Sequence, residues 1–219
     1  MPFEDRFEAG RVLASKLSEF TGRSDVVVLA LPRGGVPVGY EVAQALRAPL
    51  DVFVVRKLGT PGQEELAMGA LAAGGITVLN REVIQALGIS QQTIDAAVVR
   101  EEPELERRQR EYRNGRPAAD VRGRTVILVD DGLATGSSMR VAAKALRKEG
   151  AARVVVAVPV ASKSTCAEFE SEVDQVVCAA TPDPFWAVGQ WYRNFSPTTD
   201  AEVRELLARA AAPSVSHAA

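Results

Sequence analysis

Five short runs of aliphatic residues, at 26–31, 52–55, 126–129, 154–160 and 176–180, punctuate the chain. They are rich in β-branched side chains, which favours strands. They lack the polar alternation of a half-solvated sheet, so these strands must be buried on both faces, as in parallel sheets. Stretches with helical spacing at 36–46, 137–148 and 163–169 lie between them. Strand, helix and strand joined by short connections make βαβ units. The expected fold class is α/β, an open and mainly parallel sheet of about five strands with helices on both faces.

With 47% hydrophobic residues in 219, the chain can bury a sizeable core. A length of this order suits one domain, expected over 1–212, with a small-residue tail at 213–219 expected to be disordered. Twenty-six basic and twenty-eight acidic residues leave a net charge of -2, which argues against a nucleic-acid partner held by a general basic footprint. The single histidine, His217, lies in the tail. Unless that tail folds back, Ser-His-Asp and Cys-His catalysis and most zinc hydrolases are excluded. Cys166 and Cys178 lie twelve positions apart with no CxxC, so neither a disulfide framework nor a thiol-redox motif is expected. No apolar stretch approaches the roughly 20 residues that span a bilayer, and the acidic N-terminal segment, which has no unbroken apolar run, is not expected to be a secretory signal. A soluble, cytoplasmic protein without a membrane partner is expected.

Residues 3–20 place Ala9, Leu13, Leu17 and Phe20 on one helical face and charges on the other. The glycine-rich segment 57–80 is expected to be a mobile flap, over 57–75, running into a small hairpin. A charged helical insertion over 90–115 is expected to be solvated and kinked near Pro103.

The segment Val126-Ile127-Leu128-Val129-Asp130-Asp131-Gly132-Leu133-Ala134-Thr135-Gly136-Ser137-Ser138 carries the strongest chemical signal. A buried strand ends in two acids, then a glycine and hydroxyl loop opens a helix. Ligands of parallel sheets gather outside the carboxyl ends of strands, and a helix start offers unpaired N–H groups to an anion. Gly132 and Gly136 let several N–H groups converge, and Thr135, Ser137 and Ser138 add donors. This makes a phosphate cradle. Carboxylates repel phosphate but accept hydrogen bonds from sugar hydroxyls or hold a divalent cation, so Asp130 and Asp131 suit a ribose 5-phosphate. No Walker A lysine follows Gly136, and no GxGxxG occurs.

This run resembles the signature of the type I phosphoribosyltransferases, which bind 5-phosphoribosyl 1-pyrophosphate (PRPP). The resemblance implies that Asp130 and Asp131 hold the ribose hydroxyls, and Mg2+ indirectly with PRPP, while Ala134, Thr135, Gly136, Ser137 and Ser138 hold the 5-phosphate. After the first run, Arg33, Gly34 and Gly35 resemble the pyrophosphate loop of the same family. Glycines there permit close approach, and the Arg33 guanidinium offers a fork of donors. Arg56 and Lys57 follow the second run, and the resemblance implies that they neutralise pyrophosphate. Glu65-Leu66-Ala67-Met68-Gly69 resembles the acidic flexible loop of adenine-type members, implying a proton-handling Glu65. The catalytic set implied is Asp130, Asp131, Arg33, Lys57 and Glu65.

Aromatic residues concentrate in a segment that resembles the hood of the 6-oxopurine enzymes, placed here at 181–197. Phe185, Trp186 and Val188 are the implied base-binding residues; sealing a sheet edge is the alternative for these aromatics. Two departures mark this chain. No acid follows Val188-Gly189 between Gln190 and Phe195, and Ala134 stands where hypoxanthine-type enzymes carry an aspartate. The expected activity is Mg2+-dependent transfer of a phosphoribosyl group from PRPP to a nitrogenous base, as in nucleotide salvage, by a homodimer. A PRPP- or nucleotide-sensing regulator on the same fold is the alternative from another class, and a PRPP hydrolase a third.

Overall fold

The computed structural model describes residues 2–72 and 75–212. The side chains of Glu64 and Glu65, and the tail at 213–219, lie outside the described residues. The first half of the chain forms α1 (Arg6–Ser15), β1 (Val26–Ala30), α2 (Gly35–Leu46), β2 (Leu50–Val52), β3 (Val55–Thr60), β4 (Gln63–Ala72) and β5 (Ile76–Leu79). Then come α3 (Arg81–Ala86), α4 (Gln91–Arg113), β6 (Thr125–Val129), α5 (Ser137–Lys148), β7 (Arg153–Val160), α6 (Lys163–Glu170), β8 (Gln175–Ala180) and α7 (Asp200–Ala211).

Five strands form one parallel sheet in the order β2-β1-β6-β7-β8. The unbroken aliphatic runs are explained by two-sided burial. Val26, Val28 and Ala30 of β1 pack with Leu13, Val42, Leu46 and Leu206 on one face, while Val27 and Leu29 pack with Met139, Leu146 and Phe169 on the other. Each fully buried aliphatic side chain contributes roughly 1.5–3 kcal/mol, and a polar residue within these strands must be hydrogen-bonded, as Asp51 and Thr125 are.

The strand order sets the position of a crevice. After β1 the chain crosses through α2 to β2 on one side; after β6 it crosses through α5 to β7 on the other. The connections therefore diverge between β1 and β6, which is where open α/β sheets bind ligands.

Four expectations need correction. The flap at 57–75 is not a loop with a small hairpin: β3, β4 and β5 make a three-stranded antiparallel sheet, with Arg56 and Lys57 inside β3. The charged helix α4 is continuous through Pro103 and only partly solvated, since Ile94, Ala97, Leu105, Tyr112 and Arg113 are buried. Arg113 donates from Nε to both oxygens of Asp51 at 3.0 Å and from Nη2 to the carbonyl of Val52 at 3.0 Å, satisfying a charge pair inside the fold. Arg6, expected on the solvated face of the first helix, is buried. Finally, Cys166 on α6 and Cys178 on β8 form a disulfide, because the turn after α6 returns the chain along the strand beneath the helix. Among the described residues no helix is long and apolar enough to cross a membrane.

Candidate active site

The loops leaving β1 and β6 touch at the crevice. The N–H of Leu31 donates to the carbonyl of Val129 at 2.9 Å, which carries the pairing of the two strands one residue beyond β1. The next turn, Pro32 to Gly35, crosses the end of β6 at close range. A Cβ on Gly35 would stand 2.8 Å from the Val129 carbonyl oxygen and 2.9 Å from Asp130 Cα. Only glycine fits there, because backbone cannot move aside.

Helix capping separates this crevice from the rest of the molecule. Helices α1, α3, α4, α6 and α7 are capped by the side chains of Asp5, Asn80, Ser90, Ser162 and Thr199. The two that start at the crevice, α2 and α5, begin instead at Gly34 and Gly136, with no side-chain cap. At α5 the first-turn N–H groups and the positive dipole end are left for another acceptor, whereas at α2 Gly35 and Val36 already donate to the carbonyls of Leu31 and Arg33 and Pro37 has no N–H.

Lys57, Asp130, Gly132, Leu133, Ala134, Thr135, Gly136, Ser137, Ser138, Met139 and Val188 line a cavity of about 230 Å³ at the end of β6. Its loop is firmly held. Gly136 has φ +68, a conformation that favours glycine, and a Cβ there would meet the Phe169 ring at 2.4 Å. Thr165 Oγ1 donates to the Ala134 carbonyl at 3.2 Å, and Arg140 Nη1 donates to that of Thr135 at 2.9 Å. Arg140 is itself held by Glu168 and Glu172 at 2.6 Å. The hydroxyls of Thr135 and Ser137 lie 3.1 Å apart.

The two acids face different surroundings. Asp130 borders the same cavity as Lys57, and its Oδ1 accepts the N–H of Asp131 at 2.8 Å. Asp131 is gripped by Arg6, whose Nε and Nη2 approach its Oδ2 at 2.9 and 2.8 Å. Tyr192 Oη donates to its carbonyl at 2.5 Å. Burial pushes both carboxyls above their usual range; the Asp131 charge adds to this at Asp130, whereas Arg6 pulls Asp131 back down.

The other residues singled out from the sequence divide. Gly34 and Gly35 lie against the two acids. Arg33 is half exposed and does not line the cavity; its Nη1 is 3.9 Å from Asp200 Oδ1. Arg56 is tied to Glu101 of α4, with Nε 3.1 Å and Nη2 2.5 Å from Oε2. Lys57 borders both the cavity and a second groove of about 630 Å³ beside Arg56, Arg100 and Arg108. The Glu65 side chain lies outside the described residues. Of the hood, only Val188 lines the cavity. Its Cγ1 would be 2.6 Å from a Cβ on Gly132. Phe185 packs in a satellite cluster with Tyr192, and Trp186 is 78% exposed.

Sequence reasoning does not single out Arg6, Arg140, Thr165 or Phe169 as site residues. Three of them support the loop from α5 and α6, and nothing local in the sequence marks a contact of that kind.

A family model for the phosphoribosyl transferase domain matches residues 4–193. The chain belongs to this family. A curated relative from Mycobacterium tuberculosis (strain H37Rv), provisionally named a phosphoribosyl transferase, is 49% identical to this phosphoribosyl transferase domain over 208 residues. That match covers 95% of this chain and 47% of the relative, so the chain spans about half the length of the curated relatives it matches. The crystal structure of TT1426 from Thermus thermophilus is similar at 42% identity and a TM-score of 0.85, over 97% of this chain and 100% of that one. A hypothetical protein from Neisseria gonorrhoeae, crystallised with bound ppGpp, shares the fold alone, at 15% identity and a TM-score of 0.50, over 95% of this chain and 98% of that one.

Proposed function

We propose that this phosphoribosyl transferase domain moves the 5-phosphoribosyl group of PRPP to a nitrogenous base, releasing pyrophosphate. The observation that carries this reading is the start of α5 at Gly136, without a side-chain cap, in a cavity that the hydroxyl residues Thr135, Ser137 and Ser138 share with Asp130 and Lys57. An anion-seeking helix end, a carboxylate and a lysine on one cavity suit a ligand that carries a phosphate, a diol and a second anionic group.

In this reading the N–H groups and hydroxyls of residues 134–138 bind the 5-phosphate, and Asp130 accepts from the ribose hydroxyls. Gly34 and Gly35 bring their turn close against the two acids, and Lys57, on the same cavity as the phosphate loop, neutralises the leaving pyrophosphate. Positive charge develops on C1 of the sugar as pyrophosphate departs, and positioning with charge neutralisation supplies most of the rate. Closure by the β3–β5 sheet excludes water that would hydrolyse PRPP.

Mg2+ fits this donor set. Among the described residues no cluster of three or more His, Cys, Asp or Glu side chains could cage a metal. Mg2+ characteristically uses one or two carboxylates together with substrate phosphates, and Asp130 at the cavity wall is such a carboxylate. When bound, the ion neutralises the leaving pyrophosphate.

The acceptor lies beside Val188, under the hood that includes Phe185 and Trp186. Ala134 brings no carboxylate to it, so the loop itself handles no acceptor proton. Incubating the protein with Mg-PRPP and a panel of purines, pyrimidines and nicotinate-like acids should release pyrophosphate with at least one of them. Binding of Mg-PRPP without turnover on any acceptor would replace the transferase with a sensor on the same fold.

A further inference from the structure

Arg6 opens α1, in an amphipathic helix whose other charges face solvent, yet it is 9% exposed and every guanidinium nitrogen is used. Nε and Nη2 hold Oδ2 of Asp131 at 2.9 and 2.8 Å, and Nη1 donates to the Ser196 carbonyl at 2.8 Å. The guanidinium lies over the Phe195 ring, 4.0 Å from its centroid, which fixes its plane. Tyr192, from the same C-terminal segment, holds the other end of Asp131 through its carbonyl. Gly34 covers the pair, since a Cβ there would stand 2.1 Å from Asp131 Oδ2 and 3.3 Å from Arg6 Nε. Among the described residues no hydrogen bond reaches Asp131 Oδ1.

We infer that Arg6 is a positioning residue: it fixes the carboxylate of Asp131 beneath the Gly34 turn and ties that acid to the C-terminal hood. This rests on the proposed binding of PRPP and deepens it, by dividing the acid pair. Asp130 borders the cavity, while Asp131, which does not line it, is held at the Gly34 turn with one oxygen locked by Arg6. A planar guanidinium can hold that oxygen and the Ser196 carbonyl together; an ammonium cannot reproduce the fork. Because Ser196 and Phe195 belong to the hood, any shift of the hood on acceptor binding is transmitted to the acid at the sugar site.

The test is a double-mutant cycle on Mg-PRPP affinity, using Arg6→Met, Asp131→Asn and the double variant, with Arg6→Lys alongside and melting temperatures for all. Arg6→Met should weaken Mg-PRPP at least tenfold, and Arg6→Lys should recover part of that loss. The double variant should bind no worse than Asp131→Asn alone, because Arg6 acts through Asp131; a merely structural arginine would add its own loss. Wild-type affinity in Arg6→Met, or losses that multiply in the double variant, would overturn the inference while leaving PRPP binding intact. If Arg6→Met does not fold, Arg6→Lys decides, and wild-type affinity there overturns it. A wild-type protein that takes up no Mg-PRPP overturns the proposed function and this inference together.

Discussion

A Cβ placed on Gly34 would stand 2.1 Å from Oδ2 of Asp131, so the turn after β1 lies directly on the second acid after β6. The two sequence motifs are thus one object. The glycine is required by the carboxylate beneath it.

Gly34→Ala should therefore act on Asp131 rather than on the fold. The added methyl displaces a carboxylate already held by Arg6, and the expected loss in Mg-PRPP affinity is at least tenfold, with only a modest fall in melting temperature. Calorimetry and thermal melts on the variant check this. Unchanged affinity would mean that the turn is free to move.

The parallel sheet is legible in the sequence because its strands are buried on both faces, so their aliphatic runs carry no competing pattern. The segment at 57–80 is not, because its glycines read as looseness. Gly69 is instead demanded by strand pairing: a Cβ there would stand 2.7 Å from the Val78 carbonyl oxygen. The loop at 130–138 is readable as a phosphate cradle from its residue types alone. Its supports are not, since Phe169 and Thr165 reach it from a different helix. Arg6 is hidden by its place on an amphipathic helix, where a charge normally marks the solvent side. The cysteine pair is hidden too, because spacing along the chain says nothing of a helix laid over its own strand.

Asp130→Asn should stabilise the unliganded protein at neutral pH while removing its function. Burial raises the folded-state pKa of Asp130 above its unfolded value. A group shifted that way favours folding below the unfolded pKa, and the benefit is lost as pH rises through the folded pKa. The neutral amide escapes that loss and still accepts from the N–H of Asp131. Melting temperatures should thus be higher for the variant near pH 7, with the gap closing as the pH falls below about 4. A lower melting temperature near neutrality would show that the ionised acid is well solvated.

Lys57→Met should leave folding untouched, since Lys57 is exposed, and reduce turnover. Removing a cation that neutralises a leaving group costs on the order of 10²–10³ in rate. The expected pattern with a competent acceptor is a fall in kcat that exceeds any rise in KM. A change confined to KM would place Lys57 in binding alone.

Asp51→Asn isolates stability from function. It leaves the buried Arg113 guanidinium facing an uncharged partner at the far side of β2. Breaking such a pair costs roughly 3–5 kcal/mol, readable by urea unfolding, while Mg-PRPP affinity should not change. A loss under about 1 kcal/mol would show that the pair contributes no more than a surface ion pair.

Calorimetric titration of Mg-PRPP into wild type and into Asp130→Asn/Asp131→Asn bears most directly on the crevice between β1 and β6. The wild type should bind, and the double variant, folded at the temperature of the titration, should lose at least a hundredfold in affinity. Equal affinity in the two proteins would contradict the account, because the sugar would then be held without either acid.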